Sequence, residues 1–139
     1  MSDRLVTAAI EAAKMAYAPY SHFHVGAALE LDDGSIVTGA NFENASYGMT
    51  LCAETVAIAK ANSDGQLRRI VAIAVAGAPE GAALGVEPIT PCGRCRQIIK
   101  EVADLVDLDL PVHCAKDGGF VTYRLSELLP HGFGPASLG

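Results

Sequence analysis

The sequence predicts an α/β fold, a three-layer α/β/α sandwich around a mixed sheet of about five strands. Helix and strand patterns alternate along the chain, which is typical of right-handed strand–helix–strand units with helices on both faces of a sheet. Residues 69–76 are almost wholly apolar and rich in β-branched side chains, as in a central buried strand. Turn motifs at 32–34 (Asp-Asp-Gly) and 116–119 (Lys-Asp-Gly-Gly) predict two hairpins, so the sheet is expected to be mixed.

The individual elements follow from local patterns in chain order. Apolar residues at helical spacing predict a first helix from Asp3 to about Tyr17, which Pro19 ends. Periodicity, composition and turn residues then predict strands at 24–31 and 35–39, a polar loop at 41–51, a helix at 52–62, a strand at 69–76, a long loop at 77–91, a helix at 94–105, strands at 111–115 and 120–123, and a short helix capped by Ser126 and ended by Pro130.

Length and composition fit one domain over residues 1–139 and narrow the function. Half of the residues are hydrophobic, so a chain of this length can bury a core without a disulfide framework. Ten Lys and Arg against 16 Asp and Glu give a net charge of −6, which disfavours nucleic acid and anionic membranes as partners. No apolar run reaches the ~18–20 residues of a membrane span. Residues 1–11 carry no signal-peptide pattern, so we expect a cytoplasmic protein with reduced cysteines.

Three of the four cysteines fall into two short clusters, Cys-Ala-Glu at 52–54 and Pro-Cys-Gly-Arg-Cys at 91–95. Each cluster lies at the start of a predicted helix, where free N–H groups and a partial positive charge stabilise the thiolates that bind zinc. The two residues between Cys92 and Cys95 let both sulfurs reach one ion from a first helical turn. We therefore predict one Zn²⁺ held by Cys52, Cys92 and Cys95.

Three protein ligands leave the fourth tetrahedral position of zinc open, which is typical of a catalytic rather than a structural site. Glu54 lies two residues after the first ligand, on the first turn of the predicted helix. A carboxylate in that position can take a proton from a water molecule and pass it to a substrate without itself binding the metal.

Other interpretations of the cysteines are open on spacing alone. A Cys-x-x-Cys pair is also typical of half a structural zinc site or of a redox pair, and Cys114 could complete a four-cysteine site. Cys114 lies in an apolar predicted strand, which favours a buried core thiol. The combination of Cys-x-Glu with Pro-Cys-x-x-Cys, each at a helix start, is more specific than either part.

These motifs resemble those of the zinc-dependent deaminases of nucleosides and bases. The resemblance is closest to the short, homotetrameric cytidine deaminases, and it covers nearly the whole chain. Beyond the two cysteine clusters it rests on segments 19–23 (Pro-Tyr-Ser-His-Phe), 39–47, 91–97, 128–130 and 133–135, of which Asn-x-Glu-Asn-x-x-Tyr at 41–47 is the most specific.

The resemblance implies a role for each matching position. Cys52, Cys92 and Cys95 would bind zinc, and Glu54 would be the proton shuttle. Asn41 and Glu43 would hydrogen-bond a ribose hydroxyl of the nucleoside, chiefly the 3′ one. Phe23 would stack on the pyrimidine, and the Ala53 N–H would bind the base carbonyl. Three further residues would reach the site of a neighbouring subunit: Ala45, Tyr47 and Phe133. A turn role for Asn41, a solvated Glu43, a core Phe23 and simple packing of Tyr47 are the alternatives.

One position departs from the pattern. Many relatives carry an arginine directly after the catalytic glutamate, where this chain has Thr55. Three thiolates on one Zn²⁺ leave a negative charge in excess, which weakens the metal as a Lewis acid. We hypothesise that the two helix N-termini carry most of the compensation, helped by Arg94 or Arg96. A surface or subunit-interface role is the alternative for both arginines.

The sequence thus predicts hydrolytic deamination of cytidine and 2′-deoxycytidine to uridine and 2′-deoxyuridine, with release of ammonia, as in pyrimidine salvage. Asn41 and Glu43 suit a neutral ribose, and an acidic chain suits an unphosphorylated substrate. Three alternatives are open: a deaminase of another amino-heterocycle such as blasticidin S, a non-catalytic zinc-stabilised interaction domain with a fourth protein ligand, and an editor of polynucleotides.

Overall fold

One five-stranded sheet forms the centre of the molecule in a computed structural model that describes all 139 residues. The strands are β1 (Phe23–Leu31), β2 (Ile36–Ala40), β3 (Ile70–Pro79), β4 (Pro111–Lys116) and β5 (Gly119–Arg124), in the spatial order β2-β1-β3-β4-β5. Only β3 and β4 are parallel, and the other neighbours are antiparallel. The prediction of a mixed sheet is confirmed, as are both hairpins.

Helices cover both faces of this sheet. They are α1 (Ser2–Ala13), α2 (Ala53–Ser63), α3 (Gly93–Val106) and the single turn α4 (Leu125–Leu128). Alternate residues of β3 belong to two different apolar clusters: Ala72, Ala74 and Ala76 pack with α1, whereas Ile73 and Val75 pack with α2 and α3. The predicted three-layer sandwich is therefore confirmed. None of the helices has both the length and the apolar character needed to cross a bilayer.

Glycines let two helices approach the sheet closely. A Cβ atom on Gly26 of β1 would lie 2.0 Å from the carbonyl oxygen of Ala9 in α1. On the other face, a Cβ atom on Gly39 of β2 would lie 2.5 Å from the backbone nitrogen of Ala57 in α2. Backbone atoms cannot give way to these contacts as a flexible side chain could, so both positions require glycine.

The first helix ends earlier than its periodicity predicts. It stops at Ala13 rather than near Tyr17, because the backbone of Tyr17 joins the segment before α2. The Tyr17 N–H donates to the carbonyl of Asn41, and the Tyr17 carbonyl accepts from the N–H of Glu43, both at 3.0 Å. A tertiary pairing thus overrides a helical pattern that extends to Pro19.

Two other boundaries differ from the predictions. Strand β3 continues to Pro79, three residues into the predicted long loop, because Gly77 to Pro79 pair with the start of β1. Ser126 is not the cap of the last helix, which begins after Arg124. Instead, the backbone N–H and the hydroxyl of Ser126 both donate to the carboxylate of Asp109.

Gly39→Ala should destabilise the protein by about 1–3 kcal/mol, the usual cost of adding a methyl group to a filled interior. The methyl group would push α2, which carries Glu54, away from β2. Urea unfolding at equilibrium measures the change. Gly119→Ala is the matched control, since its nearest contact is an ordinary 3.8 Å, and we expect a change within about 0.5 kcal/mol. Equal stability of Gly39→Ala and the wild type would contradict the close-packing argument.

Candidate metal centre and active site

Two helix N-termini bring three cysteines together. Cys52 is the N-cap residue of α2, Cys92 is the N-cap residue of α3, and Cys95 lies in the first turn of α3. Their sulfur atoms all lie within 4.8 Å of one another, and no fourth Cys, His, Asp or Glu joins the group. The fourth cysteine, Cys114, is fully buried in β4, and burial raises the pKa of its thiol to about 11. The structure therefore brings together the three predicted ligands and leaves Cys114 in the core.

The spacing of the sulfur atoms fits zinc. Two thiolates that each bind zinc at ~2.3 Å with tetrahedral geometry lie about 3.8 Å apart. The Sγ atoms of Cys52 and Cys92 are 3.7 Å apart, and all four cysteines are free thiols. Soft thiolate ligands in a set of three suit Zn²⁺ and leave one coordination position for another molecule. The cluster could hold one zinc ion with its fourth position open.

The thiols of the cluster influence one another. Hydrogen bonding from Cys95, helped by Cys92 and by the positive charge of Arg94, lowers the pKa of Cys52 to about 6. Hydrogen bonding to Cys52 and burial raise the pKa of Cys95, which is 0% exposed. Cys52 is therefore the more acidic thiol of this pair, and the buried Cys95 is the less acidic one.

Glu54 lies beside the cluster on the first turn of α2 and is 4% exposed. Burial raises the pKa of its carboxyl group to about 7, and the charge of Cys52 adds to the shift. Glu54 lines the same cavity as Cys52 and Cys92, so its carboxyl group is next to the candidate metal position. It is not a member of the group of three sulfurs, so it is not a candidate ligand. A carboxyl group in such surroundings can both accept and donate a proton.

A cavity of about 380 Å³ opens onto this corner of the molecule. Seven of the residues predicted for the site line it: Phe23, Asn41, Glu43, Cys52, Ala53, Glu54 and Cys92. A larger groove of about 740 Å³ runs between the C-terminal part of α3 and residues 131–137, but it contains no cysteine. The smaller cavity is the candidate active site because it holds the groups that can do chemistry.

Asn41 is held rigidly at the wall of the cavity. Its side-chain NH₂ donates to the carbonyl of Phe23 and its side-chain oxygen accepts from the N–H of Val25, each at 2.9 Å. An amide side chain has two N–H donors and two lone pairs. One donor and one acceptor of this 9%-exposed side chain therefore remain for a ligand.

Glu43 is held by the loop that precedes β1. Its carboxylate accepts the backbone N–H groups of Tyr20 and Ser21 at 3.0 and 3.1 Å, and the Ser21 hydroxyl donates a further hydrogen bond. These hydrogen bonds lower the pKa of Glu43 below its usual 4.5, and the bond from the Ser21 hydroxyl has the largest effect. The carboxylate is thus kept ionised and fixed at the cavity, so it can accept a hydrogen bond from a hydroxyl group.

Of the two arginines that were expected to help offset the thiolate charge, Arg94 acts on the sulfurs and Arg96 does not. Arg94 donates to the carbonyl of Thr50 and favours the Cys52 thiolate through its charge. Arg96 instead bonds the carbonyls of Pro91 and Leu128 and the hydroxyl of Thr90, which is a structural role. The Thr55 hydroxyl lies 3.6 Å from the sulfur of Cys95, a contact that the sequence did not indicate.

The three residues assigned to a neighbouring subunit's site lie outside the cavity of their own chain. Ala45, Tyr47 and Phe133 are exposed, Tyr47 to 75%. Tyr47 packs against Tyr20 with ring centroids 5.9 Å apart. Their roles toward a second subunit stay predictions.

Sequence reasoning missed five residues that line the cavity: Ser21, Val25, Thr50, Ile89 and Thr90. Ser21 lies in the segment 19–23 that supported the resemblance, so it could have been found there. Thr50 and Thr90 are each two residues before a cysteine, and proximity in sequence was their only signal. Ile89 lies in a stretch that the sequence marks only as loop.

Comparison with known proteins agrees with this geometry. The sequence model of the cytidine and deoxycytidylate deaminase zinc-binding region matches residues 1–106. A cytidine deaminase of Halalkalibacterium halodurans is 46% identical over 130 residues, which is 93% of this chain and 91% of that protein.

Solved structures give the same result. The crystal structure of cytidine deaminase from Burkholderia pseudomallei superposes with a TM-score of 0.81 at 40% identity, covering 96% of this chain and 99% of that chain. The cytidine deaminase of Mycobacterium tuberculosis gives a TM-score of 0.72 at 39% identity, covering 95% and 96% of the two chains. The match therefore extends over the fold as well as the cysteine motifs.

Ser21→Ala should raise the pKa of Glu43 toward 4.5, because it removes the hydrogen bond that lowers this pKa most. A lowered pKa in the folded state contributes stability above the unfolded-state pKa, and that contribution is lost as the pH falls through the folded-state value. The variant should therefore be less stable than the wild type at neutral pH, and the difference should shrink at acid pH. NMR titration of the Glu43 carboxyl carbon and unfolding at several pH values measure both effects.

Ser21→Thr, which keeps the hydroxyl, is the matched control for this variant. We expect its Glu43 pKa to stay close to that of the wild type. An unshifted Glu43 pKa in Ser21→Ala would show that the backbone N–H groups alone hold the carboxylate.

Proposed function

The chain belongs to the cytidine and deoxycytidylate deaminase family, and from this premise we propose that it deaminates cytidine hydrolytically to uridine and ammonia. The observation that carries the proposal is the cluster of three thiols with Glu54 buried beside it in one cavity. The curated relatives named cytidine deaminase match over most of their length as well as most of this chain.

Cys52, Cys92 and Cys95 would hold the zinc ion. Bound there, zinc supplies a Lewis acid that makes water nucleophilic near neutral pH. The protein contributes the two helix N-termini, whose partial positive charge favours three thiolates so close together. No fourth Cys, His, Asp or Glu joins the three cysteines, so a coordination position would remain for water.

Glu54 moves the protons of the reaction. Its carboxylate takes a proton from the attacking water and delivers it to N3 of the pyrimidine as the water oxygen bonds to C4. The second water proton then passes through the same carboxyl group to the amino group on C4, which leaves as ammonia. The balance is one cytidine and one water giving one uridine and one ammonia.

The remaining cavity residues bind and orient the nucleoside. Asn41 and Glu43 hydrogen-bond the ribose, chiefly its 3′ hydroxyl, which cytidine and 2′-deoxycytidine share, so both would be substrates. Phe23 packs on the pyrimidine ring. The free N–H of Ala53 at the start of α2 donates to the base carbonyl, since the first N–H groups of a helix have no partner within it.

The competing functions have less support. A zinc-stabilised interaction domain requires a fourth protein ligand, and none is present. A polynucleotide editor requires a basic surface, whereas the net charge is −6. The relatives are named cytidine deaminase, which disfavours an antibiotic deaminase such as one acting on blasticidin S.

The cellular setting and the assembly belong to the same proposal. We assign the enzyme to pyrimidine salvage in the cytoplasm, where reduced thiols are available as zinc ligands, and we treat residues 1–139 as one domain.

We also propose a homotetramer in which Ala45, Tyr47 and Phe133 reach the site of a neighbouring subunit. Exposed apolar side chains beside the cavity support it: Tyr17, Tyr20, Phe42, Tyr47 and Met49.

Purified protein should contain one zinc per chain and convert cytidine to uridine, followed by absorbance. Glu54→Gln should keep the zinc and the fold but lose at least the ~10²–10⁴-fold in kcat that a general acid–base group contributes. Zinc analysis and circular dichroism of the same preparation separate loss of chemistry from loss of metal.

The matched control is Glu101→Gln, an equal change of charge on an exposed position of α3, for which we expect wild-type kcat. Normal turnover by Glu54→Gln would overturn the assignment of the proton shuttle. Turnover of blasticidin S but of neither cytidine nor 2′-deoxycytidine would overturn the substrate.

Sedimentation should show four chains per particle. Tyr47→Ala should make the tetramer dissociate at a higher protein concentration than the wild type, because a side chain is lost from a subunit contact. Activity should fall as the tetramer dissociates. Lys14→Ala, an exposed change at the C-cap of α1, is the control and should sediment like the wild type. Full activity of a monomeric wild type would contradict the shared-site assembly.

A further inference from the structure

The contact between Thr55 and Cys95 joins the first turns of α2 and α3. Thr55 is the third residue of α2, directly after Glu54, and its Oγ1 lies 3.6 Å from Sγ of Cys95. This hydrogen bond links one of the three clustered sulfurs to a hydroxyl group on the other helix. Thr55 does not line the nucleoside cavity.

The direction of this hydrogen bond follows from metal binding. A cysteine that binds zinc does so as a thiolate and has no proton to donate. The Thr55 hydroxyl is then the donor and the Cys95 sulfur the acceptor. Because Cys95 is 0% exposed, water cannot supply that hydrogen bond instead.

We propose that the Thr55 hydroxyl donates a hydrogen bond to the Cys95 thiolate and thereby limits how much electron density this sulfur gives to the bound metal. The inference rests on the proposed function and answers how the charge of three thiolates is offset on the buried side of the cluster. Arg94 acts on the other side, since its charge favours the Cys52 thiolate. Thr55 is thus a positioning and tuning residue that acts through Cys95 and touches no substrate.

The test compares Thr55→Val with Thr55→Ser in the Co²⁺-loaded protein. Valine matches threonine in shape but has no hydroxyl, whereas serine keeps it. Loss of the hydrogen bond makes the thiolate easier to oxidise, so the sulfur-to-cobalt charge-transfer band of Thr55→Val should move to lower energy. The band of Thr55→Ser should stay at the wild-type position.

Kinetics of the zinc-loaded variants give the second measurement. Removing a group that hydrogen-bonds a metal ligand typically lowers metal affinity or activity by ~10–100-fold. We therefore expect kcat of Thr55→Val to fall by a factor in that range. KM for cytidine should not change, because Thr55 lies outside the cavity. Thr7→Val is the control: it removes a threonine hydroxyl that bonds the Asp3 carbonyl on α1, far from the cluster, and should alter neither measurement.

The outcomes separate this inference from the proposed function. A Thr55→Val cobalt band at the wild-type energy overturns the inference, whether or not kcat falls, because a fall in kcat alone would be a structural effect. Absence of cytidine turnover by the wild type overturns the proposed function and leaves the cobalt comparison standing. If Thr55→Val does not fold, Thr55→Ala against Thr55→Ser makes the same comparison of a lost and a kept hydroxyl.

Discussion

The N-termini of α2 and α3 meet over one face of the sheet, and the chemistry of the molecule depends on that meeting. Each contributes an N-cap cysteine, and α3 adds a second from its first turn. Thiolates at this distance repel one another, so they need both a cation and the partial positive charge of the helix ends. Two features determine where these helix N-termini lie: α2 packs directly against Gly39 of β2, and α3 forms the crossover between the parallel strands β3 and β4.

A second constraint comes from two buried polar side chains that line the cavity and hold the surrounding backbone in place. Asn41 bridges the backbone of β1 at Phe23 and Val25, and Glu43 takes three hydrogen bonds from residues 20–21. No buried side-chain polar atom in the structure lacks a partner. A wall built in this way is rigid before a ligand arrives, which lowers the entropic cost of binding it.

The electrostatics of the cavity explain why a neutral nucleoside suits it. The cysteine cluster is negative even with a zinc ion bound, Glu43 is ionised, and the chain as a whole is acidic. A phosphate group would be repelled by this field, whereas ribose hydroxyls can donate to Glu43. Thr55 and Arg94 supply the few positive or donating groups near the sulfurs, and they act on two different cysteines.

Local patterns in the sequence determined the order of helices and strands, both hairpins, the mixed sheet, and the three cysteines with their neighbouring glutamate. These features depend on periodicity, turn chemistry and short spacing, which act within a few residues. Only the tertiary structure decided where α1 ends, how far β3 runs, what Ser126 binds, and that Thr55 contacts Cys95. Each of these depends on a partner between 17 and 56 positions away in sequence, and no local pattern encodes which distant backbone or side chain will lie opposite.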